Sequence, residues 1–80
     1  MPNVFKKWIN GYRFFFYSNE SDEPIHVHVS KAANAAKFWM NPVELAKNNG
    51  FTPKEIAFIK KLIKARKTRI IKAWNEHFTI

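Results

Sequence analysis

The sequence contains no cysteine, no long apolar run and few acidic residues. Without cysteine, disulfide bonds, thiolate metal sites and a cysteine nucleophile are all excluded. No segment approaches the run of about 18 apolar residues that a membrane-spanning helix needs. The first residues lack the apolar stretch and small-residue cleavage site of a secretory signal. We therefore expect a cytoplasmic protein without a membrane partner.

The scarcity of acidic residues leaves the chain strongly basic, with 14 lysines and arginines, 6 aspartates and glutamates, and a net charge of +8 over 80 residues. This length predicts one small domain, residues 1–80. A hydrophobic content of 46% excludes a disordered polybasic tail. Residues 53–80 hold 8 of the basic residues and only 2 acidic ones, which favours a polyanion or an acidic protein as partner.

Residues 1–40 have the pattern of a small antiparallel sheet. Val4–Ile9 and Tyr12–Tyr17 favour β-structure and flank Asn10-Gly11, the pair preferred in a two-residue hairpin turn. Two further strands are predicted at Ile25–Ser30 and Ala35–Met40, where apolar and polar residues alternate. The sequence thus predicts four antiparallel strands.

A four-residue loop between the last two of these strands makes their apolar faces agree, which supports that register. The register places His26 opposite Trp39, Val27 opposite Phe38, His28 opposite Lys37, and Val29 opposite Ala36.

Residues 41–51 connect the sheet to a helical segment, residues 52–79. Val43–Asn49 is open to two interpretations, a short helix or a fifth edge strand. Thr52-Pro53-Lys54-Glu55 has the pattern of a capping box with proline at the first helical position. Lys67 interrupts the apolar stripe that follows, which predicts either two helices or an overhang. The expected fold is α+β, with a small antiparallel sheet packed on one face by a C-terminal helix or broken helix pair.

One face of the predicted sheet mixes aromatic with basic side chains, and we call it the mixed face. Interleaved aromatic and cationic groups can stack on bases and pair with phosphates, as in single-strand recognition. The alternative is a second small core, covered by residues 41–51 or by the chain end. The mixed face comprises Lys6, Trp8, Arg13, Phe15, Tyr17, His26, His28, Lys37 and Trp39.

His26 and His28 point to the same side of a strand, about 7 Å apart along the chain. With one carboxylate from Glu20, Asp22 or Glu23, the pair has the spacing of a metal site. Two surface histidines on a strand explain the pattern without a metal, so we expect no metal ion and no cofactor.

The same histidines can act as general base and acid in RNA cleavage, which makes a metal-independent ribonuclease one candidate activity. Arg13 and Lys37, on the same face, would stabilise the phosphorane charge. Tyr17 would stack on the substrate or orient it.

A basic flank runs along the helical segment when it is projected at 100° per residue, and it can approach a phosphate backbone. The alternative is a solvated helix face. The residues expected to bind nucleic acid are Lys54, Lys61, Lys64 and Lys72 on the helix, with Lys6, Trp8 and Trp39 on the sheet.

Two other classes of function fit the same residues. The spacing of Ala46, Gly50 and Ile56 is typical of a helix-turn-helix motif, which predicts a DNA-binding regulator. Alternatively, Lys67 and the apolar residues beyond it, Trp74 and Phe78, suggest an interaction module that docks an acidic protein or forms a homodimer through the C-terminal helix.

Five blocks in this order resemble the small bacterial family catalogued as domain of unknown function 4160: YRFFFYSNE, PIHVHV, AKFW, ELAKNNGFTPKEI and AWNEHF. The resemblance implies a sheet followed by a C-terminal helix. It also implies a toxin-like role, because such genes are often found beside a second small gene. The family's shared segments correspond here to Tyr12–Tyr17, Pro24, His26, His28, Trp74, Asn75 and Glu76.

Taken together, these features predict a protein that engages nucleic acid, with RNA favoured over DNA. The resemblance makes it the toxin-like member of a two-gene pair, whose acidic partner comes from the neighbouring gene.

Overall fold

A computed structural model describes residues 4–5, 8–17 and 22–78 of the chain. The described part is an α+β fold with a four-stranded antiparallel sheet in the order β1-β2-β3-β4, followed by two helices. The predicted fold class is therefore confirmed. The elements are β1 (Arg13–Phe15), β2 (His26–Lys31), β3 (Asn34–Met40), β4 (Val43–Asn49), α1 (Pro53–Ala65) and α2 (Lys67–Phe78).

The predicted hairpin turn is present at Asn10-Gly11. Both residues have positive φ, 53° and 83°, as a type I′ turn requires, and the Ile9 and Tyr12 backbones exchange two hydrogen bonds of 3.0 and 2.9 Å.

A strand over Val4–Ile9 is wrong for the residues described there, which form only the isolated bridge at Ile9. Val4 N–H donates to Phe14 O, a position that a regular hairpin would give to Lys7. Phe5 is buried and packs edge-on against Phe14, with ring centroids 5.6 Å apart. Val4 and Phe5 therefore pack against the core and lie outside the four strands of the sheet.

The register between β2 and β3 is the predicted one. All four predicted pairs are present, and the ladder continues to Lys31 opposite Asn34. The loop therefore contains only Ala32 and Ala33, with Ala32 at a φ of 54°.

Of the two interpretations of Val43–Asn49, the edge strand is the one observed. The turn at Asn41-Pro42, whose peptide bond is cis, returns the chain directly along β3. Pairing with β3 then overrides the helix propensity of Glu44, Leu45 and Ala46. The helix-turn-helix motif is consequently not formed, because Val43–Asn49, where its first helix would lie, is a strand.

Helix α1 begins as predicted. Thr52 accepts a hydrogen bond from Glu55 N–H at 3.1 Å, and the Glu55 carboxylate accepts one from Thr52 N–H at 3.1 Å, which completes the capping box. Just before it, the Asn48 side chain donates to Phe51 O and accepts from Phe51 N–H. These four hydrogen bonds fix the direction in which the chain leaves β4.

The helical segment is broken at Arg66, so of the two predicted arrangements the helix pair is present. Arg66 leaves helical geometry with φ −119° and ψ 17°, and its N–H donates to Ile63 O. The break allows Ile63 of α1 and Ile70 of α2 to be buried together. Neither helix in the described part of the chain is long and apolar enough to cross a bilayer.

One hydrophobic core lies between the helices and the apolar face of the sheet. Burial is nearly complete across it, since Val27, Val29 and Phe38 are 0% exposed. The sheet contributes Phe14, Val27, Val29, Ala36, Phe38, Met40 and Val43, and the helices contribute Ile59, Leu62, Ile63, Ile70 and Trp74.

Tyr12 lies at the margin of this core. Its ring packs near those of Phe51 and Phe58, with centroids 5.9 and 6.1 Å away. Burial of the phenol, and secondly the nearby Glu55 carboxylate, raise the pKa of Tyr12 above its ordinary value. The folded state therefore favours the neutral phenol.

Gly50 adopts a φ of 107°, and an added Cβ would overlap the Asn34 side-chain amide. Gly50→Ala should lower the free energy of unfolding by about 1–3 kcal/mol, because strain and overlap both result. Chemical denaturation measures the loss. In an Asn34→Ala background, Gly50→Ala should lose less stability, because the overlap is gone and only the backbone strain remains. If Gly50→Ala leaves the free energy of unfolding unchanged in both backgrounds, this account is wrong.

Candidate nucleic-acid interface

Residues paired across neighbouring strands lie on the same face of the sheet. The strand registers therefore place the residues of the mixed face in rows that run across the sheet. The central row runs across all four strands. It is flanked by one row on each side, and Tyr17, just after β1, lies against His28. The central row is Phe15, His28, Lys37 and Lys47, and the flanking rows are Arg13, Ser30, Ala35 and Asn49 on one side and His26, Trp39 and Glu44 on the other.

A β-bulge in β4 brings Lys47 onto this face. Phe38 pairs with Leu45 but Lys37 pairs with Lys47, so Ala46 is an extra residue. A bulge of this kind inverts the alternation beyond it. Sequence reasoning missed Lys47, and with it Asn49, since regular alternation from Glu44 would have placed both on the opposite face.

His28 is the half-buried centre of an aromatic cluster. Phe15 stacks on it with ring centroids 5.5 Å apart at 21°, and Tyr17 meets it edge-on at 4.5 Å. Phe15 is only 4% exposed, whereas Tyr17 is 40% exposed. The imidazole is thus held in a defined orientation while part of it stays accessible, as an acid–base group requires.

His26 is fully buried. Its Nδ1 donates to Pro24 O at 2.8 Å, and its ring meets Trp39 at 5.7 Å and Trp74 of α2 at 4.9 Å. It also lies edge-on to His28, with ring centroids 5.1 Å apart. His26 therefore packs against His28 from the protein interior and is not exposed to solvent.

The structure offers no metal cage in the part of the chain that it describes, where no group of three or more His, Asp or Glu side chains could hold an ion. Of the carboxylates considered as a third ligand, Glu23 instead pairs with Lys37, and Glu20 lies outside the described residues.

Lys37 and Lys47 face each other across β3 and β4. Lys37 Nζ is 2.6 Å from a Glu23 carboxylate oxygen and 4.6 Å from the centre of the Trp39 ring. Among the described residues, no carboxylate pairs with Lys47. Both lysines line a cavity of about 230 Å³, together with Tyr17, His28, Ala35, Ala36 and Asn49. We call it the lysine pocket.

The other residues predicted on the sheet for catalysis or binding include Arg13, Trp8 and Lys6. The Arg13 guanidinium lies over the Phe15 ring, 4.6 Å from its centre, so it contributes to the cluster but does not line the lysine pocket. Trp8 is 61% exposed before the hairpin turn, and Lys6 lies outside the described residues.

The alternative interpretation of the mixed face, as a second small core, holds only around His26. Trp74 of α2 packs against His26, whereas Val43–Asn49 extends the sheet as its edge strand.

The predicted helix lysines are all exposed and are divided between two helices. Lys54, Lys61 and Lys64 belong to α1, whereas Lys72 belongs to α2 beyond the break and lies 3.9 Å from the Glu76 carboxylate. The projection that aligned them assumed one continuous helix, whereas the helix is interrupted at Arg66.

Like charges on directly opposed strand residues destabilise a sheet. Lys47→Gln should therefore raise the free energy of unfolding by about 0.2–1 kcal/mol at low salt, and the gain should fade at high salt because of screening. Lys61→Gln removes the same charge from exposed α1 and is the matched control. Equal effects of the two substitutions, measured by urea denaturation, would show that only net charge matters.

No curated protein and no solved structure matches the chain. One family model does match, over residues 11–75, and these residues include the mixed face apart from Lys6 and Trp8, the bulge, and both helices up to Asn75. The chain belongs to the family described as domain of unknown function DUF4160.

Proposed function

We propose that this protein binds single-stranded RNA on the mixed face and cleaves it there, as the toxin-like member of a two-gene pair. The observation that carries the proposal is the lysine pocket, in which two opposed lysines and a half-buried histidine surround one cavity.

The lysine pocket has the electrostatics of a phosphate site. Lys37 and Lys47 repel each other in the unliganded protein, and an anion between them would relieve that repulsion. Glu23 neutralises part of the charge of Lys37, which leaves Lys47 as the main attraction for a phosphodiester. Binding to a polyanion also releases counterions, so the affinity should depend strongly on salt.

The surroundings of the lysine pocket favour a single strand over a duplex. Exposed Tyr17 lines the lysine pocket, and half-buried Trp39 lies next to Lys37 outside it; unstacked bases can pack on such rings. The basic helices add longer-range attraction, since Lys54, Lys61 and Lys64 are exposed on α1.

A phosphodiester bound in the lysine pocket would lie next to His28, where its RNA strand can be cleaved. The imidazole accepts the 2′-hydroxyl proton as the 2′-oxygen forms a bond to phosphorus. The bond from phosphorus to the 5′-oxygen breaks, and that oxygen takes a proton from water. The products are a 2′,3′-cyclic phosphate and a 5′-hydroxyl. Lys37 and Lys47 stabilise the negative charge that develops on the phosphorane oxygens.

The test is binding and cleavage of a labelled single-stranded RNA across a salt series. Lys47→Ala should weaken binding and lower the slope of log affinity against log salt by about 1, whereas Lys61→Ala on α1 should weaken it less. His28→Asn should keep most of the affinity but slow cleavage by about 10²–10⁴-fold. An RNA with a 2′-deoxy residue at the cleaved position should bind and remain intact.

Binding without cleavage by the unaltered protein would remove the catalytic part of the proposal and leave the binding part. Absence of salt-dependent RNA binding would overturn both the catalytic part and the binding part of the proposal.

A second candidate function is docking of the acidic protein encoded by the neighbouring gene, and it is favoured by one feature of α1. Phe58 is 41% exposed and lies on the same helix stripe as Lys54 and Lys61, at spacings of four and three residues. An exposed aromatic ring between lysines can bury apolar surface while the lysines pair with carboxylates.

The sequence-based rationale for docking through the end of α2 is weakened, because Trp74 is buried within the chain. Ile70 is buried as well, so the homodimer predicted through this helix stays a prediction that would need other residues.

Co-purification with the neighbouring gene product tests the docking proposal. Phe58→Ser and Lys61→Glu should each weaken the complex at least tenfold, whereas Lys72→Glu on α2 should leave it nearly unchanged. If both α1 variants bind the partner normally, the surface is not the dock. Phe58→Ser should not alter RNA binding, which separates this candidate from the first.

A further inference from the structure

We propose that the cavity beside Trp39 is a nucleobase subsite that prefers guanine. The proposal rests on the proposed function, because the lysine pocket would hold the strand whose base enters this cavity.

The cavity has a volume of about 370 Å³, which lies within the range of about 300–1,000 Å³ found for small-molecule sites. Trp39 and Glu44 are cross-strand partners on the mixed face, so an aromatic ring and a carboxylate stand side by side in it. The lining residues are Pro24, Ile25, Trp39, Asn41, Pro42 and Glu44.

Trp39 is held ready for stacking by its neighbours. His26 meets its ring edge-on at 5.7 Å, and Lys37 Nζ lies over the ring, 4.6 Å from its centre. A side chain that is already restrained loses little conformational freedom when a base stacks on it. Stacking itself tolerates every base, so discrimination must come from the polar groups beside the ring.

Glu44 supplies a polar group that suits one base. Its carboxylate is exposed, and no described lysine or arginine is paired with it. A carboxylate only accepts hydrogen bonds. Guanine is the base that presents two adjacent donors, N1–H and the 2-amino group, on its Watson–Crick edge.

The other bases carry a hydrogen-bond acceptor beside each donor on that edge, and a carboxylate repels such an acceptor. Adenine and cytosine place a ring-nitrogen acceptor next to their amino group, and uracil places its single N–H between two carbonyl oxygens. The Asn41 amide, at the rim of the same cavity, can donate to guanine O6.

The two cavities are spaced for neighbouring parts of one nucleotide. Lys37 lines the lysine pocket and Trp39 lines the second cavity, and same-face positions two residues apart on a strand are about 7 Å apart. A phosphate at Lys37 and Lys47 would thus be one ribose away from a base on Trp39.

The experiment measures binding of labelled seven-nucleotide oligouridines that differ only at the central position, which carries guanosine, inosine, adenosine, cytidine or uridine. The guanosine oligomer should bind about tenfold more tightly than the uridine, adenosine and cytidine oligomers. The inosine oligomer should fall between them, because it keeps N1–H but lacks the 2-amino group.

Glu44→Gln should abolish the guanine preference without weakening binding of the uridine oligomer, whereas Glu76→Gln on exposed α2 should preserve it. Trp39→Ala should weaken every oligomer about tenfold. Binding of all oligomers with equal affinity, or a preference that persists in Glu44→Gln, overturns the subsite and leaves the proposed function in place. Failure of every oligomer to bind overturns the proposed function and the subsite together.

Discussion

The alternation of buried and exposed side chains along β2 and β3 is the constraint on which the rest of the structure depends. Val27, Val29 and Phe38 are completely buried against the helices. Because side chains alternate with a period of two, burying these residues directs His28 and Lys37 to the other face. A slip of one residue would bury the charge and expose the core, so the free energy of the core also determines the geometry of the candidate site.

The two faces of the sheet are not independent, because α2 contacts both. Trp74 packs edge-on against Phe16 of the core at 5.3 Å and against His26 of the mixed face at 4.9 Å. Helix α2 begins just after the break at Arg66, and its residues Ile70 and Trp74 are both buried. His26 thereby lies between the core and His28, which explains why a histidine on a polar face is fully buried.

Much of this fold could be predicted from the sequence, and the successes share one property. The turn at Asn10-Gly11, the capping box at Thr52 and the β2–β3 register are each specified by residues that are close in sequence or mutually consistent. The ambiguous elements depend on distant partners. Residues 43–49 have no strong strand pattern of their own and become a strand because β3 offers an unpaired edge.

The candidate site was predicted in part, for the same physical reason. His28, Lys37 and Trp39 follow from simple alternation on two strands whose register was predicted correctly.

Lys47 follows only from the bulge at Ala46, and alternation alone cannot reveal a bulge. One extra residue in β4 therefore decides which side chains the protein presents opposite Lys37. The bulge, more than any point substitution, determines the surface chemistry of this strand: regular pairing of the same residues would place Ala46 opposite Lys37 and turn Lys47 away from the pocket. Gain or loss of this bulge is thus a direct route by which members of the family could diverge in what they bind, with the core left untouched.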